Sequence, residues 1–408
     1  MPKLRFPEFK NAEGWKNHFG DSLFDQISDR NPGPGLPVLA ITQEHGAIPR
    51  HMINYHVSVT EKSIESYKIV QVGDFIISLR SFQGGIEYSQ YHGICSPAYV
   101  VLRRRVDGHD AYFKHYLKTD KFIQILIRNL EGLRDGKMIS YKQFSELLLS
   151  VPVPAEQQKI ADCLSSLDEL IAAQASKVDA LKTYKKGLMQ QLFPREGETQ
   201  PRLRFPEFQS SDEWTSASLG TIFKTSSGGT PDRSTVEYWN GDIPWITTSL
   251  VGFNIVTEVD QFITEAGLNS SSAKVFPEMT ILIAMYGQGK TRGQVAMLGI
   301  KAATNQACAA ILPTEEIDSR FVFLNLCSRY DELRGLSNSG GQENLSQGLI
   351  QGLPFSYPKD RSEQQRIADC LTSLDDQIDA QAQALEALKT HKKGLMQQLF
   401  PSAEDIAP

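Results

Sequence analysis

The sequence predicts an α+β protein: two mixed α/β heads separated by two long helices that pair as an antiparallel coiled coil, with pseudo-two-fold internal symmetry. Three observations predict it. The segment from Glu156 to Pro194 returns from Glu363 to Pro401 with about three quarters of its residues unchanged, and each copy carries a heptad-spaced apolar stripe. The stretches of about 150 residues before the copies share little beyond their openings, KLRFPEF at Lys3 to Phe9 and RLRFPEF at Arg202 to Phe208. Because a repeat reports architecture before any single residue does, the chain reads as a constant frame carrying two different heads. The boundaries follow: first head 1–153, first helix 154–194, second head 195–361, second helix 362–401 and a tail, 402–408.

The frame comes from periodicity. Ile160, Leu164, Leu167, Ile171, Gln174, Val178, Leu181, Lys185, Leu188 and Leu192 follow one another at alternating steps of four and three, the signature of a coiled-coil seam. The second copy keeps the phase with Ile367, Leu371, Leu374, Ile378, Gln381, Leu385, Leu388, Lys392, Leu395 and Leu399. Each helix would be roughly 58 Å long and cannot bury its stripe alone, so the two are expected to pair within the chain. The short connection after Pro194 favours the antiparallel sense. Pro154 suits a first helical turn, Ser362 with Gln365 has capping-box spacing, and Pro194 and Pro401 stop the helices. Identity also extends to outward positions, in EQQ(K/R)IADCL and KKGLMQQLFP, which suggests two equivalent docking surfaces for another protein.

The heads read as small mixed domains. Strand-like runs at Pro37 to Ile41, Asp74 to Leu79 and Ala98 to Leu102 are matched in style by Ile243 to Ile246, Thr280 to Ala284 and Cys308 to Leu312, with Gly and Pro turns between them. A helical stretch follows in each, Asp110 to Asn129 and Ser319 to Leu336. Loops rich in Arg, Lys, Gln and Gly succeed corresponding strands: Arg80 to Gly85 in one head, Tyr286 to Gly293 in the other. A second pair precedes the long helices, Arg134 to Lys142 and Ser339 to Ser346, and a third lies between strands, His92 to Pro97 and Thr304 to Ala307. Arg matches guanine edges, Gln and Asn match adenine edges, and glycine lets backbone N–H groups approach phosphates. The candidate DNA-binding residues are therefore Arg80, Gln83, Gly84, Lys137, Tyr141 and Lys142 in the first head. In the second they are Tyr286, Gln288, Lys290, Arg292, Asn305, Gln342 and Asn344.

Composition excludes more than it assigns. The net charge of −6 is not the footprint of a protein that wraps nucleic acid alone. Lys and Arg outnumber Asp and Glu by 19 to 16 over residues 1–150, and are outnumbered 13 to 17 over 201–362, so phosphate neutralisation would come from local clusters or other subunits. No apolar run reaches the roughly 18 residues of a membrane span, and the polar N-terminus has no signal-peptide core; a cytoplasmic protein without membrane contact is expected. Five cysteines and eight histidines show no zinc or disulfide spacing, and Cys163 and Cys370, equivalent in the repeats, read as small buried hydrophobes. Gly289-Lys290-Thr291 lacks the first glycine of a P-loop, where Ala284 stands, and no nucleophile elbow or dinucleotide fingerprint occurs. The chain is read as non-catalytic, with no cofactor or metal of its own.

In four features the chain resembles the specificity subunits of type I restriction-modification systems. These are LRFPEF followed by Trp15 or Trp214, SGGTPDRSTVEYWNGDIPWI from Ser227 to Ile246, ICSPAYVVLR from Ile94 to Arg103, and the doubled helices. The resemblance covers essentially the whole chain. It implies two target-recognition domains reading a bipartite site in double-stranded DNA. It also implies two methyltransferase subunits using S-adenosylmethionine, and two motor-nuclease subunits using ATP and Mg. A protein-binding scaffold with two divergent heads is the alternative.

Overall fold

The computed structural model describes residues 1–30, 35–53, 64–128, 139–287, 289–336 and 344–401. The chain divides into two compact units, Met1–Ala175 with Gln383–Pro408, and Ser176–Ala382. Each holds one head with half of each long helix.

The long helices run Pro154–Leu192 and Arg361–Leu399. In the first unit Ile160, Ala161 and Leu164 share a core with Leu399 and Phe400, and Lys392 Nζ donates to Asp168 Oδ1 at 2.5 Å. Moving back from Asp168 to Ile160, the partners advance from Lys392 to Leu399, which is the antiparallel sense. The second unit repeats it: Ile367 and Leu371 share a core with Leu192 and Phe193, and Lys185 Nζ donates to Asp375 Oδ1 at 2.5 Å. Every seam residue is buried or half-buried, whereas off-seam Leu170 and Tyr184 are 54% and 60% exposed. The seam lysines thus sit at half-buried places where an aspartate of the facing helix neutralises them.

Pro154 opens the first helix, as its missing N–H allows. The second is capped differently from expectation. It begins at Arg361, so Ser362 lies in the first turn and Asp360 takes the capping role, its Oδ1 accepting the Ser362 N–H at 2.8 Å.

The first head contains β1 (Lys16–Phe19), α1 (Gly20–Leu23), β2 (Phe24–Ile27), β3 (Leu39–Thr42), β4 (Gly46–Pro49), β5 (Lys68–Val70), β6 (Phe75–Ile77), α2 (Ser81–Gly84), β7 (Glu87–Tyr88), β8 (Gly93–Cys95), β9 (Val100–Arg104), α3 (Asp110–Tyr116), α4 (Asp120–Arg128), α5 (Tyr141–Ser145) and β10 (Leu148–Val151). The central sheet has the order β2-β9-β6-β7. Its β6 is buried on both faces, as a continuous apolar run requires. The segment His92 to Pro97, expected as a loop, contains the buried strand β8, which pairs with β5.

The second head contains β11 (Thr215–Ser218), α6 (Leu219–Ile222), β12 (Thr225–Ser227), β13 (Trp239–Ile246), β14 (Asn254–Val256), β15 (Phe262–Ile263), α7 (Glu265–Asn269), β16 (Val275–Phe276), β17 (Ile281–Ala284), β18 (Val295–Leu298), β19 (Ala302–Thr304), β20 (Cys308–Ile311), α8 (Ser319–Ser328), α9 (Tyr330–Gly335), α10 (Gln347–Gly352) and β21 (Pro354–Tyr357). One sheet has the order β12-β20-β17-β18-β14 and another β15-β13-β19-β16. Each single helix expected before the last loop is broken in two, after Tyr116 and after Ser328. Cys95 and Cys308 are buried, while Cys163 and Cys370 are half-buried, short of the buried state expected of them. No helix among the described residues is long and apolar enough to cross a membrane.

A clamp, built twice, ties each head to its helices. Arg5 of the first LRFPEF donates through Nε to Glu156 Oε1 at 2.8 Å and through a second nitrogen to Oε2 at 2.6 Å. Arg204 grips Glu363 in the same way at 2.8 and 2.7 Å. Gln157 donates to the Pro152 carbonyl and accepts the His109 N–H; Gln364 does both with Pro358 and Asp318. The repeated opening and the repeated EQQ are therefore two halves of one fastening. A planar guanidinium suits it because both its bonds reach one carboxylate.

Candidate nucleic-acid interface

In the first head, Arg80 just before α2 and Gln83 on it are exposed, and α2 follows β6. This segment was expected as a loop and is a short helix. It closes on Gly85, where φ is +82° and a Cβ would stand 2.2 Å from the Leu117 carbonyl oxygen, so only glycine fits. Gly84 packs on the hairpin turn between β3 and β4, where a Cβ would approach Gln43 Cδ to 2.7 Å. Gln43 Nε2 also donates to the Arg80 carbonyl at 3.4 Å. The exposed Gln43, Glu44 and His45 thus flank α2.

Cations gather beside them. Burial pushes the Tyr99 phenol up, and the positive charges of Arg50 and Arg80 draw it back, so both guanidinium groups act on one ring. Lys68 Nζ donates to the Tyr99 carbonyl at 2.5 Å, and burial first, then the charge of Arg30, holds its ammonium below the usual lysine range. Lys68 is itself buried and serves the packing here; sequence reasoning missed Arg30 and Arg50 because they come from separate stretches of chain.

Tyr141 and Lys142 belong elsewhere. The Tyr141 hydroxyl donates to the Phe24 carbonyl at 2.9 Å, and its pKa is raised by burial, then by Asp21 and Asp25. Phe24 pairs with Arg104 at one end of β9, whereas Ile77, just before α2, pairs with Val100 at the other. The structure does not bring Tyr141 and Lys142 together with Arg80 and Gln83. Lys137 lies outside the described residues.

In the second head three expected loops do converge. The Met285 N–H donates to the Ala307 carbonyl at 2.8 Å, and the Met285 carbonyl accepts the Leu345 N–H at 3.0 Å. Exposed Tyr286, half-buried Asn305 and half-buried Asn344 therefore project around one point at the end of β17. Asn305 Oδ1 accepts the Ala307 N–H at 3.2 Å, which tightens its own turn. Lys290 is exposed in the β17–β18 loop, and α9 pins that loop: Arg334 donates to the Gly289 carbonyl at 2.7 Å, and Arg292 donates to the Arg334 carbonyl at 3.2 Å. Arg292 thus helps hold the loop that carries Lys290. Gln288 and Gln342 lie outside the described residues.

The Ser227 to Ile246 segment adds residues absent from the expected set. The Gly229 N–H donates to the Thr304 carbonyl at 2.8 Å, and a Cβ at Gly228 would stand 1.9 Å from that oxygen. Thr230 bonds Gln306, beside Asn305. Exposed Arg233 stacks over Trp239 and Trp245 at 4.7 and 5.2 Å, and Lys274 donates to Ser226 Oγ at 3.0 Å. An Arg with aromatic residues six and twelve positions on was the signal that could have found this platform. Among the described residues no cluster of His, Cys, Asp and Glu could hold a metal.

Two heads of mixed sheet, unlike in their loops and fastened by one clamp to a repeated helix pair, define a two-headed recognition protein of duplicated design. The chain belongs to the type I restriction modification DNA specificity domain family, whose model matches residues 23–183 and 211–390. It is similar to the EcoR124I/EcoR124II specificity subunit of Escherichia coli, 28% identical over 255 residues; the match spans 59% of this chain and 59% of that relative's length. A chain from a solved structure of the type I R-M system shares the fold with a TM-score of 0.61 at 16% identity, over 98% of this chain and 100% of that one. The type I restriction-modification S subunit from M. genitalium shares it with a TM-score of 0.57 at 19% identity, over 98% and 99%.

Proposed function

We propose that this chain is the sequence-specific DNA-recognition subunit of a type I restriction-modification complex. Each head reads one half of a bipartite, asymmetric site, and the helix pair sets the spacer and docks the methyltransferase subunits. The observation that carries this reading is the contrast between the two kinds of surface. Clamp and helices are the same in both halves, whereas the loop ends gather different cations and amides: Arg80, Gln83, Gln43 and Arg50 in one head, Tyr286, Lys290, Asn305, Asn344 and Arg233 in the other.

Phosphate contacts from Lys and Arg would hold each head in register while Arg, Gln and Asn side chains read base edges in the groove. Half-sites about one turn apart, roughly 34 Å, suit a rigid spacer element. Partner methyltransferases would flip the selected adenine and methylate it from S-adenosylmethionine, and motor-nuclease partners would supply the ATP- and Mg-dependent cleavage. This chain would choose the base and leave the chemistry to them. Selection of double-stranded DNA from a random pool by the chain with its methyltransferase partner tests the reading. A two-part motif with a fixed gap is expected, and enrichment of no motif by an intact complex would favour a protein-binding scaffold.

A further inference from the structure

Five strand ends lie side by side in the second head, and the last of them carries a side chain unlike the polar set beside it. In the sheet β12-β20-β17-β18-β14, the pairings Ser227 with Ala309, Ala284 with Cys308, Ile283 with Val295 and Asn254 with Ala296 bring one end of every strand to the same side. Asn305 precedes β20, Tyr286 follows β17 and Lys290 lies between β17 and β18, so the sheet fixes their order along this row. Phe253 stands last in it, directly before β14, and its N–H donates to the Val295 carbonyl at 2.7 Å. Adjacent strands lie about 4.8 Å apart, so the row from β12 to β14 covers roughly 19 Å, the length of about five to six base pairs.

Phe253 is held exposed. Its φ is +60°, in the left-handed region that is unfavourable for a bulky side chain, and Asn254 Oδ1 accepts the Gly252 N–H across the turn at 2.9 Å. The ring is 40% exposed and meets Tyr330 edge to face, with centroids 5.0 Å apart and planes at 88°. The Tyr330 hydroxyl donates to the Lys290 carbonyl at 2.5 Å, so the ring and the cationic loop are fixed to one another. Backbone strain of this kind gathers at positions that contact ligands. We propose that Phe253 is a specificity-determining residue that packs on the methyl group of one thymine in the half-site read by this head. The inference rests on the reading of the head as a DNA-recognition domain. Asn305, Tyr286 and Lys290 can bond base edges or phosphates, whereas a phenyl ring offers apolar contact, and the thymine methyl is the apolar group that base pairs present in the major groove. Insertion between base pairs needs a ring standing clear of the protein; with most of its surface buried, Phe253 can cover a methyl but cannot act as a wedge.

The test uses the full chain with its methyltransferase partner, on the motif that the complex selects from random duplex DNA. Each thymine of the motif is replaced singly by deoxyuridine, which removes the methyl and leaves the hydrogen-bonding edge unchanged, and affinity is read by competition. At one thymine, in one half of the motif, deoxyuridine should weaken binding about fourfold, the effect of losing one buried methyl-sized group. Phe253→Asn, whose side chain suits a positive φ, should bind thymine and deoxyuridine alike at that position, and Phe253→Leu should keep part of the preference. Equal binding of every deoxyuridine-substituted site by the wild-type chain would overturn the proposal, leaving the DNA reading intact and the ring to a protein partner. A thymine preference that survives undiminished in folded Phe253→Asn would overturn it as well, by assigning the methyl contact to another residue. Selection of no motif by an intact complex would instead overturn the DNA reading itself, and the proposal with it.

Discussion

Replacing Glu363 by Ala should destabilise the second unit by about 3–5 kcal/mol, the usual effect of removing one partner of a buried ion pair. Glu363 is 1% exposed and accepts three bonds: two from Arg204, at 2.8 and 2.7 Å, and one from the Trp214 indole N–H at 3.1 Å. The substitution leaves a guanidinium only 14% exposed, together with a buried indole N–H, and neither is offered a new acceptor. The equivalent Glu156→Ala should have an effect smaller by about 1.5–3 kcal/mol, one hydrogen bond to a charged acceptor, because Trp15 Nε1 has no partner among the described residues to lose. Replacing both members, Arg204→Met with Glu363→Leu, should recover most of the loss, since the uncompensated charge goes with them. Urea unfolding followed by tryptophan fluorescence reads this out. Trp214, Trp239 and Trp245 report the second unit and Trp15 the first, and the transitions are fitted separately because two units need not unfold together. A loss below about 1 kcal/mol for Glu363→Ala, the value of an exposed pair, would refute the reasoning.

Other predictions concern pH, recognition and the frame. His115 is buried, and its imidazole is held down to about 4, first by burial, then by Lys392 with Asp168 opposing and Lys114 adding. The folded value lies below the unfolded one, so its contribution is complete above about pH 6.5 and is lost as pH falls toward the folded value. The loss amounts to about 3 kcal/mol, and His115→Leu should flatten the acid side of a melting-temperature profile of the first unit. Arg233→Ala should weaken DNA binding by about 1–3 kcal/mol and change preference in one half-site if it reads a base; uniform weakening with a shallower salt dependence would assign it to phosphate. Arg292→Ala, in a competition assay over half-site variants, should impair the same half through its loop, and unchanged binding by a folded variant would remove it from the interface. Leu167→Asp with Leu374→Asp should separate the helices and abolish discrimination among spacer lengths, measured on sites with one base pair added or removed.

The frame was legible because heptad spacing is a local pattern, and a chain that repeats it can be compared with itself. Seam burial follows from that spacing residue by residue, down to Lys185 and Lys392, each of which meets an aspartate. The partner half of the clamp was visible in the repeated LRFPEF and EQQ, but not their union: Arg5 and Glu156 are 151 residues apart, and nothing local records such a contact. The heads were legible as buried apolar runs, with β17 and β20 close to expectation. Their sites were not, because recognition surfaces are assembled by sheet order. Arg80 and Tyr141 looked like one site until β9 placed them at opposite strand ends, and Asn305, Tyr286 and Asn344 met only through the hydrogen bonds of Met285. Capping at Asp360 rather than Ser362 is a smaller miss of two positions, where two side chains both suited the role.

The central claim is tested most directly by mapping N6-methyladenine in DNA from cells that express this chain with its methyltransferase subunit, against cells that express the methyltransferase alone. The account predicts a two-part motif with a fixed gap only when both are present, and a change confined to one half when Arg233 is replaced. The same methylation pattern with and without this chain, with both proteins folded and associated, would contradict it.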